Sequence, residues 1–135
     1  MATARIRSAT DGTELSLSLA NDRPREDGYY LAHLRGPSLS ASVEVYDLAL
    51  DGIVAFFAGL AEQWRDGWPG EWSHSSPEGH LQLKATRDKL GHIFLRVVLT
   101  DRMGSGDWEA AAMLNLDAGH LPEVAAAVKN ALGGP

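Results

Sequence analysis

The side chains that could do chemistry near neutral pH are five histidines, His33, His74, His80, His92 and His120, in a chain of 135 residues with no cysteine. A metal site or an acid–base pair requires such groups to converge. His80 and His92 look like a pair in the linear sequence. They open the two strands of one antiparallel hairpin, turned at Asp88-Lys89-Leu90-Gly91. With His92 pairing near Arg87, His80 falls on the order of 20 Å away at about 3.3 Å per residue. No two histidines have the i, i+4 spacing of a helical zinc motif. The five therefore read as surface or structural imidazoles, and no metal or other cofactor is expected.

Nucleophile and phosphate motifs are equally weak. Ser38, Ser40 and Ser42 alternate along a strand, and there is no Gly-x-Ser-x-Gly elbow. Gly104-Ser105-Gly106 resembles the start of a dinucleotide fingerprint, but Glu109 stands in the third glycine's place and a strand follows where a helix is needed. Glu26-Asp27 lies in a loop with Arg23 and Arg25, which reads as solvated surface. Without cysteine, disulfides, thiolate zinc sites and cysteine nucleophiles are absent together. The residues thus point away from catalysis.

The elements that would position these groups follow from periodicity. Leu15, Leu17 and Leu19 alternate with Ser16 and Ser18, and Leu39, Ala41, Val43 and Val45 alternate with serines and Glu44, the period-2 pattern of half-buried strands. Gly28–Arg35 lies between them, and a short strand at Ala4–Ser8 precedes this meander. Leu50, Ile53, Val54, Phe57, Leu60, Ala61 and Trp64 then recur at helical spacing, with Asp51 placed to cap the helix and Asp66–Gly70 to end it.

A second series begins at Glu71–Ser75, a short connecting strand. Leu81, Leu83 and Ala85 follow, then a strand over His92–Thr100, then a strand marked by Trp108, Ala110, Ala112, Leu114 and Leu116. Leu121, Val124, Ala125, Val128 and Leu132 form a second helical stripe, with Pro122 in its first turn. Placing Leu15-Ser-Leu over Leu81-Gln-Leu, Tyr30-Leu31 over Phe94-Leu95, and Leu48–Asp51 over Leu114–Asp117 gives two meander-then-helix units. These read as an internal pseudo-repeat, 1–67 and 68–135, within one domain spanning 1–135, since neither half can bury its own sheet face and helix stripe. The expected class is α+β: an antiparallel sheet of about seven or eight strands with two helices packed on it. Whether the strands form one sheet or two is open at this level.

Two surface features stand above this background. Trp64, Trp68 and Trp72 recur at intervals of four. Trp64 belongs to the helix stripe and reads as core, while Trp68 and Trp72 are either a lid over the core or binding anchors. The strand Ile93–Leu99 carries Phe94 and Val98 beside Arg96 on its nominally outer face, with Ala111 and Met113 on the next strand. Either a helix covers that face or another chain meets it. A pocket between sheet and helices, lined by Tyr30, His33, Trp68 or Trp72, is the alternative site for a small ligand. A homodimer through Phe94, Val98 and Met113 is a third reading.

Composition bounds the partners. The net charge is −6 and the acids are spread along the chain without a basic stripe, so nucleic acid is not expected as a ligand. The longest apolar run, Ile53–Leu60, is too short to span a bilayer. No apolar signal region opens the sequence, so a cytoplasmic location is expected. Nine arginines against three lysines, with much Ala and Gly, is the usage of a GC-rich bacterial genome.

Tyr29-Tyr30-Leu31, Gly36-Pro37 followed by Leu39-Ser-Ala-Ser-Val-Glu-Val-Tyr46, and Phe56-Phe57 with Leu60-Ala61 and Trp64 form one set of markers. Glu78-Gly79-His80-Leu81, Gly91-His92 and Leu114–Leu121 form another. Across Leu15 to Leu132 this layout resembles a bacterial family of small domains of unknown function. It is similar to immunity proteins paired with cell-wall-associated toxins of the WapI kind. That resemblance implies no catalytic residues. It implies a protein-binding module that holds a co-encoded toxin shut.

Overall fold

Residues 2–20, 22–63, 71–101 and 107–133 are described by a computed structural model. Four strands come first: β1 (Thr3–Arg7), β2 (Glu14–Leu19), β3 (Tyr29–Gly36) and β4 (Leu39–Tyr46). A 3-10 turn, Leu48–Leu50, leads into helix α1 (Asp51–Gln63). The second half repeats this order with β5 (Trp72–Ser75), β6 (Leu81–Arg87), β7 (His92–Asp101), β8 (Trp108–Asp117), a 3-10 turn at Ala118–His120 and helix α2 (Leu121–Leu132). The eight strands divide into two four-stranded antiparallel sheets, each in sequence order.

The alternation read from the sequence sets which side of each strand is buried. Ala4, Ile6, Leu15, Leu17, Tyr30, Ala32, Leu34, Val43 and Val45 form the inner face of the first sheet, and Leu81, Leu83, Ala85, Ile93, Leu95, Val97, Leu99 and Leu114 that of the second. These join Ile53, Phe56, Phe57 and Leu60 of α1 and Leu121, Val128, Ala131 and Leu132 of α2 in one hydrophobic cluster. Each buried Val, Leu, Ile or Phe side chain among them contributes roughly 1.5–3 kcal/mol by leaving water. The halves are interlocked: α2 lies against β1 and β2 of the first sheet, α1 against α2 and against β5 of the second. A seam ties their edges, where the Ala9 amide donates to the Asn115 carbonyl at 2.9 Å and the Asn115 amide donates to Ser8 Oγ at 3.0 Å.

Three expectations need correction. Asp51 does not cap α1 from outside; it is the helix's first residue, and the Asp47 carboxylate accepts from the Ile53 amide at 2.9 Å. Leu48–Asp51 does not match Leu114–Asp117, because the first segment is a turn and helix start while the second is strand. The matching residues are Asp47 and Asp117, each standing immediately before a 3-10 turn as its N-cap. Tyr30 does not match Phe94: Tyr30 is fully buried on an inner face, Phe94 half-buried on an outer one, and a one-residue slip exchanges the two faces. In the β6–β7 hairpin, Arg87 pairs with Ile93, which puts His92 near Arg87 at the turn. The turn is held by Asp88 Oδ1, which accepts from the amides of Leu90 and His92, each at 2.9 Å.

Candidate functional site

Gln82, Lys84, Thr86, Phe94, Arg96, Val98, Ala111, Met113 and Asn115 alternate with the buried residues of β6, β7 and β8 and so share the outer face of the second sheet. Both helices belong to the core on the opposite side, so the expectation that a helix covers this face fails among the described residues. The helices are drawn elsewhere by their own pairing and by the first sheet. Phe94 and Val98 stay half-buried, Ala111 is exposed and Met113 is 48% exposed. A solvated antiparallel face ordinarily carries polar residues at such positions.

Two grooves flank this apolar center. One, of about 300 Å³, is bounded by Ser73, Ser75, Gln82, Lys84, Arg96 and Val98. The other, of about 390 Å³, lies at the far end of the face between Phe94, His92, Asn115, Thr10 and Asp117. His92 is held there by its own turn, with Nδ1 2.8 Å from Asp88 Oδ2. That leaves the face with an apolar center, two cations on one side and mixed polar groups on the other.

The remaining residues singled out from the sequence do not join this site. Tyr30 is buried in the first sheet, while His33, next but two along the same strand, faces outward and pairs with Ser40 Oγ at 3.0 Å. The two point to opposite sides of β3, so the pocket they were expected to share does not form between them. Trp72 Nε1 donates to the Phe56 carbonyl at 3.2 Å, and the indole lies against Gly59, where a Cβ would collide with its ring. Trp72 is thus a lid on α1. Trp64, Trp68, the Asp66–Gly70 stop and Gly104-Ser105-Gly106 lie outside the described residues.

A second cluster escaped the sequence reading. Asp47 is 5% exposed, and His74 Nε2 stands 3.8 Å from its Oδ2. Gly52 makes room for both, since a Cβ there would meet the Asp47 oxygens at 2.9 Å and His74 Cε1 at 3.0 Å. Burial lowers the pKa of His74 below the ordinary imidazole value, and the Asp47 charge opposes that shift. Burial, reinforced by the same charge, raises the Tyr30 phenol well above its usual range. A neutral imidazole, a neutral phenol and a carboxylate occupied by a helix amide form a structural joint between the halves. The available signal was the alternation Trp72-x-His74-x-Ser76, which turns His74 inward with the lid. Among the described residues, no cluster of three or more His, Asp or Glu side chains could hold a metal ion.

The geometry defines an α+β fold of two interlocked meander-helix units that leaves one sheet face, with an apolar center, uncovered among the described residues. No helix there is long and apolar enough to cross a membrane. The chain belongs to a family of unknown function, DUF6228, whose sequence model matches residues 6–135. No curated protein and no solved structure matches it.

Proposed function

We propose that this family member is a non-enzymatic protein-binding module of the bacterial cytoplasm, an immunity-type protein that blocks a co-encoded toxin through the outer face of its second sheet. The observation that carries the reading is the exposed Met113, with Phe94, Val98 and Ala111 around it, on a face that neither helix covers. Apolar and aromatic residues with a central arginine are the composition that distinguishes binding surfaces from ordinary protein surface. The resemblance to WapI-type immunity proteins supports the choice of partner. The net charge of −6 supports steering toward a basic toxin.

The test is co-expression with the product of the adjacent gene. A stable complex by size exclusion and rescue of growth are expected, with both lost in Val98→Glu and in Met113→Glu while their melting temperatures stay near that of the native chain. No complex and no rescue with the native chain would overturn the toxin-blocking role. Light scattering that gave a dimer, converted to monomer by Val98→Glu, would replace the partner with a second copy of the chain.

A further inference from the structure

We infer, building on that docking reading, that the segment received by this face is an apolar protein strand bearing a carboxylate, and that Arg96 receives the carboxylate. The register fixes the rows of the face. Ser73, Lys84, Arg96 and Met113 form one row, Ser75, Gln82, Val98 and Ala111 the next, and Thr86, Phe94 and Asn115 lie on the other side. Lys84 and Arg96 are therefore direct cross-strand neighbors of like charge, which works against the sheet. Lys84 is relieved by leaning to the edge, where its Nζ stands 3.5 Å from Glu71. Arg96 has no such relief: among the described residues its side chain makes no ion pair and no hydrogen bond. Glu109 shares the face but stands opposite Thr100, four residues along from Arg96, on the order of 13 Å away.

An unpaired guanidinium with Phe94 and Val98 before and after it on its own strand face and Ala111 and Met113 on the strand beside it is arranged for a charged partner that arrives with apolar surface. As that surface displaces water from these side chains, the guanidinium must be paired or its burial is penalised. A carboxylate meets the need with two parallel N–H donors. Ser73, Ser75 and Gln82 line the adjoining groove and supply hydroxyl and amide partners beside it. The rest of the chain is acidic, so a basic partner drawn to the molecule as a whole is oriented with its acidic segment on this spot. A bare phosphate would find the same cations but leave the apolar side chains wet.

The probes are three ten-residue peptides of alternating Val and Asp, Val and Asn, or Val and Lys, titrated into the full chain while the methyl signals of Val98 and Met113 are followed by NMR. The Asp peptide is expected to shift those signals, to weaken at least about tenfold in Arg96→Gln, and to weaken less in Arg96→Lys. Equal binding of the Asp and Asn peptides at those methyls would overturn the carboxylate while leaving the docking face intact. Binding of none of the three would overturn the strand-like ligand. Failure of the docking reading itself shows separately, as a toxin complex indifferent to Val98→Glu and Met113→Glu. Inorganic phosphate serves as the control, and a shift of the same methyls by phosphate alone would transfer the cation site from a protein segment to a free anion.

Discussion

Both halves of the molecule end their meander on an aspartate that precedes a 3-10 turn and a helix, yet the two aspartates lie in opposite surroundings. Asp117 is exposed and accepts only from the Gly119 amide beside it, at 2.9 Å. Asp47 is buried, reaches six residues on to the Ile53 amide, and has His74 laid against it by β5. The backbone turn between them, Leu50, takes φ 60° although it is not glycine, and its side chain is almost wholly buried. Such a conformation disfavors an L residue and is held by the packing around it. The same local punctuation thus serves as an exposed cap in one half and as a joint between halves in the other.

The outer faces of the sheets differ in the reverse sense. The first sheet gathers charge there: Glu14, nearly buried, accepts from Arg7 Nη2 at 2.9 Å, with Arg35 at 3.7 Å and Arg5 at 3.9 Å, while Leu31, 39% exposed, and the Tyr29–Tyr46 ring pair lie farther along the same face. Ser16, Ser40 and Ser42 surround this cage of arginines. The second sheet keeps Val98, Ala111 and Met113 at comparable positions. The first half therefore pairs the charged groups on its outer face among themselves, and the second leaves Val98, Ala111 and Met113 uncovered among the described residues, the face on which docking is proposed.

The largest effect that can break this comparison is expected at the two aspartates. Asp47→Ala removes a buried acceptor and leaves the Ile53 amide unpaired, so a loss of about 2–3 kcal/mol is expected. Asp117→Ala removes an exposed cap and is expected to lose about 0.5–1 kcal/mol. Chemical denaturation of both variants measures the pair, and equal losses would mean that Asp47 is no more than a surface cap. Asp47→Asn keeps an acceptor for Ile53 and is expected to fall between them.

Much of this architecture was legible before the structure, and the reasons differ by element. Strands with alternating Leu and Ser, and helices with a broad apolar stripe, are local patterns, so β2, β6, α1 and α2 could be read directly. Whether eight strands make one sheet or two depends on contacts between residues far apart in the chain, which periodicity does not encode. The pairing of the halves was misaligned for the same reason, because Tyr30 and Phe94 are both aromatic and only the register distinguishes inner from outer. At the candidate site, Phe94, Val98 and Met113 were visible as an excess of apolar residues where polar ones belong. Their exposure was not, since it depends on where the helices dock. His74 reads from the sequence only as one more surface or structural imidazole, because its partner Asp47 lies 27 residues away and belongs to the other half.

A smaller effect sharpens the first comparison through pH. Folding lowers the His74 pKa, so between the lowered value and the unfolded value of about 6.5 the unfolded chain binds more protons than the folded one. The contribution is complete above about pH 6.5 and is lost as the pH falls through the folded value. Melting temperature is expected to drop from pH 7.5 to pH 5.5, and His74→Phe is expected to flatten that slope while Asp117→Ala leaves it intact. An unchanged slope in His74→Phe would place the pH dependence outside the Asp47 joint. At the alkaline end the sign reverses for Tyr30, whose raised pKa means stability is intact up to the unfolded value of about 10 and is lost as the pH rises from there through the folded value.

The smallest expected effect tests the second comparison. If the outer face of the second sheet awaits a partner, its apolar side chains contribute little to the fold of the isolated chain, and Met113→Gln is expected to change unfolding free energy by less than about 0.5 kcal/mol. Val97→Thr, one residue along from Val98 and fully buried, places a hydroxyl in the core and is expected to lose about 1–3 kcal/mol. The contrast separates two origins of an apolar sheet face. A face packed against its own chain loses stability when made polar, whereas a face reserved for a partner loses only the complex. Loss of 2 kcal/mol or more in Met113→Gln would place the face within the chain's own core and remove the basis for docking there. Near-neutral stability together with loss of the toxin complex would assign the apolar character of this face to recognition and not to folding.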